Sequence, residues 1–169
     1  MRIHFFLFLI LSSILLPDLA AAGPGDKTIR FSGDAIKAEY SKRLTIKTLE
    51  QNLPLVTITA YNPWDEKTED YTGFWLNIMA KKLGTPDVQS ILLTGLDGYQ
   101  VSFNRNEWLS DKILLATKVN GSYISVREKG PLRVIFSEFD KNNAEDGLKL
   151  PKWMWMITRV EFRTEAGSE

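Results

Sequence analysis

The sequence predicts an α+β domain built on mixed or antiparallel β-sheet with few helices. Three observations predict it: many short β-branched apolar runs, two tight-turn dipeptides that join such runs into hairpins, and one convincing stretch of apolar residues at helical spacing. The chain has 169 residues, 44% hydrophobic and 25% charged, enough for a single core. It divides into a leader over 1–22, a lead-in over 23–44, the domain over 45–163 and a tail over 164–169.

Residues 1–22 read as a secretory signal peptide. A basic start with Arg2 precedes an apolar run from Phe5 to Leu16, Pro17 interrupts it, and Ala20-Ala21-Ala22 supplies small residues before a cut at Gly23. The run is shorter than the ~20 apolar residues that span a bilayer. Cleavage is therefore expected to leave an exported, periplasmic chain with no membrane insertion. The polar segment 23–44 is expected as a loose lead-in with one short strand near Ile29–Phe31.

Lys47–Asn52 suits one helical turn, stopped by Pro54. Leu55–Ala60 alternates and is β-branched, a strand, and it runs through Tyr61-Asn62-Pro63-Trp64 into a charged loop from Asp65 to Asp70. Phe74–Leu83 is the helix: Gly73 precedes it, and Lys81, Lys82 and Gly84 stand where a helix C-terminus favours them. Val88–Leu93 is a buried-type strand, and Asp97-Gly98 turns the chain into a strand at Tyr99–Phe103. Asn104–Ser110 suits a short helix. Lys112–Lys118 and Tyr123–Val126 flank Asn120-Gly121, the signature of a type I′ hairpin turn. Leu132–Phe136 is another apolar strand, Phe139–Leu150 is polar and loop-like, and Trp153–Phe162 closes the chain as a strand.

Composition excludes much chemistry. Lys+Arg and Asp+Glu are both 21, and this neutrality argues against a phosphate-neutralising nucleic-acid surface. The chain has no Cys, which removes disulfides, zinc thiolates, iron–sulfur clusters and thiol nucleophiles. Its one histidine, His4, leaves with the leader, so imidazole catalysis and imidazole metal ligation go too. Carboxylates, Lys, Tyr and Arg remain for acid–base work, and binding is favoured over catalysis.

Four constellations carry the remaining chemistry. Tyr61-Asn62-Pro63-Trp64 places aromatics at a strand end, either as a stacking wall for a flat ligand or as a cap on the core edge. Thr94–Tyr99 combines the Asp97-Gly98 turn with a phenol that can face a pocket. Ser125–Arg133 sets Arg127, Lys129 and Arg133 on a Gly-Pro loop between strands, either as anion-recognising forks or as a solvated connector with Glu128 paired locally. In Lys152–Met156, strand alternation is expected to send Trp153 and Trp155 to one face and Met154 and Met156 to the other. Asp65, Glu66, Glu69 and Asp70 lack calcium-loop spacing and are expected as solvated surface.

Taken in order, Leu53–Thr59, Tyr71–Leu76, Asp97-Gly98-Tyr99, Asn120-Gly121, Gly130–Arg133 and Trp155–Glu161 resemble the sulfite-oxidase, or molybdopterin oxidoreductase, fold family over roughly residues 45–163. In that family the strand matching Val56–Ala60 leads to a cysteine that ligates molybdenum. Here the stretch is Ala60-Tyr61-Asn62-Pro63-Trp64, and Arg127–Pro131 replaces a His-Gly-type motif that helps hold the cofactor. Without a soft sulfur ligand, no molybdenum centre of that kind is expected.

The chain is most similar in this respect to a small secreted, metal-free branch, the periplasmic pterin-binding proteins that work with membrane-bound cyclic-di-GMP synthases and phosphodiesterases. That resemblance implies a non-enzymatic protein with a pterin as ligand, no metal or covalent cofactor, and the sensor domain of a membrane-bound cyclic-di-GMP enzyme as partner. It implies polar roles for Asp97 and Arg127, and an aromatic wall of Trp64 and Tyr99 with Trp75 behind. Lys129, Arg133 and Trp155 form a second tier. Two other functions stay open: a molybdopterin-dependent oxidoreductase, disfavoured by the missing Cys, and an interaction module with an unused pocket. Segments 65–70 and 139–150 are the exposed candidates for a docking face.

Overall fold

Along residues 23–167, which the computed structural model describes, the strands and helices follow one another with short connections. They are β1 (Thr28–Gly33), β2 (Arg43–Thr45), α1 (Ile46–Asn52), β3 (Val56–Asn62), β4 (Lys67–Trp75), α2 (Leu76–Leu83), β5 (Ser90–Gly95), β6 (Gln100–Asn104), α3 (Arg105–Ser110), β7 (Ile113–Val119), β8 (Ser122–Tyr123), β9 (Arg133–Phe136), α4 (Ala144–Gly147) and β10 (Ile157–Arg163). The expected signal peptide over 1–22 lies outside the described residues. Among the described residues no helix is long and apolar enough to cross a membrane.

Two sheets form from these strands. The first runs β2-β1-β10-β5-β6, and the second runs β3-β4-β7-β8 with β9 also on β7. β1 pairs with β10 in parallel, from Arg30↔Arg159 to Gly33↔Phe162, and all other pairs are antiparallel. The fold is thus α+β with a mixed sheet. In the first sheet Ile29 and Phe31, Val101 and Phe103, and Val160 and Phe162 alternate into the core, as period-two strands with one covered face do. β7 instead buries every residue from Ile113 to Thr117, because it lies between β4 and β9 and α2 packs against it.

Local chemistry sets the ends. The Thr45 hydroxyl accepts the Thr48 N–H at 3.0 Å and starts α1. Glu107 accepts the Asn104 N–H at 2.8 Å at the start of α3. Asn120 and Gly121 have φ of 49° and 80°, as the type I′ turn between β7 and β8 requires.

Several expectations are corrected. Segment 23–44 is more than a loose lead-in with one strand, since β1 sits inside the first sheet and β2 closes its edge. Phe74 and Trp75 belong to β4, not to the helix: they pair with Leu115 and Leu114. A Cβ at Gly73 would meet the Leu115 carbonyl oxygen at 2.1 Å, so glycine permits this close pairing, and strand pairing outweighs the helical spacing of the apolar residues. The stretch expected to return from the second hairpin as a strand through Val126 stops at Tyr123, and Val126–Glu128 is a single 3-10 turn. The tail is tied down, with Ser90 Oγ donating to Glu165 O at 2.6 Å and Gly167 N–H to Asn104 Oδ1 at 2.7 Å.

The closing strand begins only at Ile157. Leu150–Lys152 is a 3-10 turn and Met156 has φ of 51°, so the strand alternation expected for Trp153–Met156 does not exist. Trp153 and Met154 are both buried, and Trp153 packs on Phe136 and Phe139 with ring centroids 5.6 and 5.5 Å away.

Candidate functional site

Four chain segments meet where the two sheets approach: the turn after β3, the β5–β6 hairpin, the loop between β8 and β9, and the approach to β10. Backbone bonds stitch the last to its neighbours. Val134 N–H donates to Met154 O at 2.7 Å, Met156 N–H to Lys129 O at 3.1 Å, and Leu96 N–H to Met156 O at 2.9 Å. Glu66, Lys129 and Met156, one in each of three of these segments, hold left-handed φ of 52°, 68° and 51°. Side chains with a Cβ adopt this region at a cost of about 1 kcal/mol or more, and such outliers gather at functional sites. Gly130 lets the loop fold in tightly, since a Cβ there would meet the Ile124 carbonyl oxygen at 2.0 Å.

Asn62 organises the first turn. It is fully buried, its Oδ1 accepts the Trp64 N–H at 3.0 Å, and its Nδ2 donates to Asp65 Oδ2 at 3.0 Å and to the Tyr71 hydroxyl at 3.3 Å. The same amide thus presents Trp64 on one side and Asp65 on the other. Asp65 receives the Lys129 ammonium and the Arg133 guanidinium, the latter at 2.7 Å. Arg133 is 5% exposed, so its charge depends on this partner. Burial pushes the Asp65 carboxyl up, but the hydrogen bonds and charges of Lys129 and Arg133 outweigh it and hold the group below its ordinary value. Burial pushes the Tyr71 phenol up, despite the hydrogen bond from Asn62. Tyr123, which donates to Glu50 Oε2 at 2.7 Å, is pushed up to about 12 by that carboxylate.

Two cavities flank this junction. An aromatic one of about 450 Å³ is lined by Trp64, Asp97, Tyr99, Trp153 and Trp155, with Pro151 at its edge. Trp64 is 50% and Tyr99 49% exposed, so both offer ring surface to the opening. Trp64 meets Trp155 edge to face with centroids 5.9 Å apart, and the Tyr99 hydroxyl donates to Pro151 O at 2.9 Å. Trp153 is 4% exposed, and its indole N–H has no acceptor among the described residues. A polar cavity of about 480 Å³ is lined by Asp65, Lys67, Glu69, Arg127, Lys129 and Arg133 among others. The Lys129 ammonium links the two, 5.2 Å from the centroid of Trp155.

The structure therefore divides the sequence-derived residues. Trp64, Asp97, Tyr99 and Trp155 share the aromatic cavity, and Arg127, Lys129 and Arg133 share the polar one. Asp97 and Arg127, expected to act together, line different cavities, and Asp97 Oδ1 already accepts the Tyr99 N–H at 3.0 Å within its turn. Trp75 lines neither cavity. It ends β4, whose first residue, Lys67, lines the polar one. Asp65, expected as solvated surface with its acidic neighbours, is instead the partner of two cations. Asn62, which sets the first turn, and Trp153, which lines the aromatic cavity, are not among the candidates the sequence singles out. Buried polar function at Asn62 has one sequence signal, the Asn-Pro dipeptide that marks a turn.

Among the described residues no group of three or more His, Cys, Asp or Glu is gathered as a metal site requires. No curated protein matches the chain. Among solved structures it resembles the sulfane dehydrogenase SoxCD from Paracoccus pantotrophus, with a TM-score of 0.61 and 17% identity, covering 88% of this chain and 41% of that one. The likeness is one of fold, and this chain spans less than half the length of its counterpart. The family model of the oxidoreductase molybdopterin binding domain matches residues 18–166. A match of that extent, on a fold of two sheets whose strands run in this order, places the chain in the oxidoreductase molybdopterin-binding domain family, as a member without cysteine.

Proposed function

We propose that this chain is a periplasmic, non-enzymatic pterin-binding protein that relays pterin signals to a membrane-bound cyclic-di-GMP synthase or phosphodiesterase. The observation that carries the reading is the aromatic cavity formed by Trp64, Tyr99, Trp153 and Trp155 in a family member that has no thiol. A molybdenum centre does not fit these residues. The stretch Ala60–Trp64 supplies no sulfur, Ala60 is buried among core side chains, and the chain has no cysteine elsewhere to take the role.

The pterin ring does fit. It is a flat bicycle with an amino and ring N–H edge next to a carbonyl, and a cavity of about 450 Å³ falls in the range of small-molecule sites. Trp64, Tyr99 and Trp155 cover its faces. Asp97 accepts from the donor edge, and the Lys129 ammonium, seated over the Trp155 ring, is the donor for the carbonyl. Lys129 takes the role expected of Arg127. The leader-like residues 1–22 support export, and export supports a partner domain on the outer side of the inner membrane.

Titration of the purified protein with oxidised and with tetrahydro-pterin, followed by quenching of tryptophan fluorescence, tests the reading. Saturable quenching at micromolar ligand is expected. No binding of either form at that concentration overturns it.

A further inference from the structure

A third concavity, a groove of about 530 Å³ between α2 and α3, shares no lining residue with the other two. It is lined by Ile78, the buried Trp108 and Leu109, and by the cations Lys37, Lys81 and Arg105. Leu109 is 64% exposed, a large apolar side chain left at the edge of a groove. No carboxylate is among the lining residues.

Two of the three cations are held by neutral groups. Lys37 Nζ donates to Lys82 O at 2.8 Å, and Arg105 Nη1 donates to Pro86 O at 3.2 Å and Val88 O at 2.9 Å. A carbonyl fixes where a cation stands without cancelling its charge. The ion pairs among the described residues involve none of the three. Asp87, close in sequence, accepts the Thr85 hydroxyl at 2.5 Å and does not line the groove. A chain of zero net charge thus concentrates positive charge beside an apolar trough.

We propose that this groove docks an acidic amphipathic segment of a protein partner. Its apolar side chains pack on Ile78 and Leu109, and its carboxylates meet Lys37, Lys81 and Arg105. Charge complementarity selects the acidic partner, and the concave floor selects a segment that inserts side chains over a flat anionic membrane, which would reach only the rim. The proposal stands independently of pterin binding.

The test titrates isotope-labelled protein with a blocked peptide of alternating glutamate and leucine pairs. An oligo-glutamate peptide, a lysine–leucine peptide and phosphatidylglycerol vesicles are the comparisons. The acidic amphipathic peptide is expected to shift the amide signals of α2 and α3, more weakly as salt rises. Lys81→Glu and Leu109→Asp, both at exposed positions, are each expected to lower its affinity about tenfold at unchanged melting temperature. Unchanged affinity in both variants overturns the proposal. So does equal binding of either comparison peptide, or binding of vesicles without binding of the peptide.

Discussion

The cavities on the two sides of the Trp155–Lys129 contact are nearly equal in size, about 450 and about 480 Å³, yet their linings are opposite in kind. The polar cavity is rich in charge, but much of that charge is already answered: Asp65 lies between Lys129 and Arg133, and Glu69 accepts from Tyr71 and Asn120. The aromatic cavity has little charge and more left unmet, in the exposed rings of Trp64 and Tyr99. A charged wall is thus no measure of what a site still needs. What counts is which groups lack partners within the fold.

The largest effect that tests this contrast is on stability. Asp65→Ala strands the Arg133 guanidinium in the interior and is expected to cost about 3–5 kcal/mol in urea unfolding. A loss under about 1 kcal/mol would mean that the pair contributes little and that the polar cavity is not self-satisfied.

Ligand affinity gives the next effect. Trp64→Ala and Trp155→Ala each remove one side of an aromatic contact and are expected to weaken pterin binding about tenfold by calorimetry. Arg127→Gln should leave that affinity unchanged, because Arg127 lines the polar cavity and, unlike Lys129, is not seated over the Trp155 ring. If Arg127→Gln weakened pterin as much as Trp64→Ala, the division between the cavities would be wrong.

The smallest effect is in acid. Because Lys129 and Arg133 outweigh burial and lower the Asp65 pKa in the folded state, the folded protein binds this proton less readily than the unfolded chain. The resulting stability is fully present above the unfolded value of about 3.9 and is lost as pH falls through the lower folded value. Asp65→Asn should flatten that part of the pH–stability curve. A wild-type curve that already lacks this slope would contradict the assignment.

Much of the fold was legible because its signals are local. The β-branched alternation of β3, the Asn120-Gly121 turn and the short helix at Arg105–Ser110 each depend on a few neighbouring residues. The expectation failed where distant contacts decided. Phe74 and Trp75 have helical spacing but pair with β7, and Trp153–Met156 alternates like a strand but turns because bonds to Val134, Lys129 and Leu96 hold it between the sheets. The site was legible in part for the same reason. Aromatic and charged residues at loop ends made Trp64, Tyr99, Trp155, Lys129 and Arg133 candidates, and each lines one of the two cavities, but no spacing shows that Asp65 reaches across 64 and 68 positions to its two cations.

By itself the sequence determined the class of fold, the absence of thiols and the residue types available for a ligand, because composition and short-range periodicity are written in consecutive residues. The tertiary structure alone decided which charges are spent on one another, which cavity each side chain lines, and that Trp75 lines neither. Those outcomes depend on four separated loops meeting at one junction, where a carboxylate takes the cations within its reach and leaves the aromatic faces beside it uncovered.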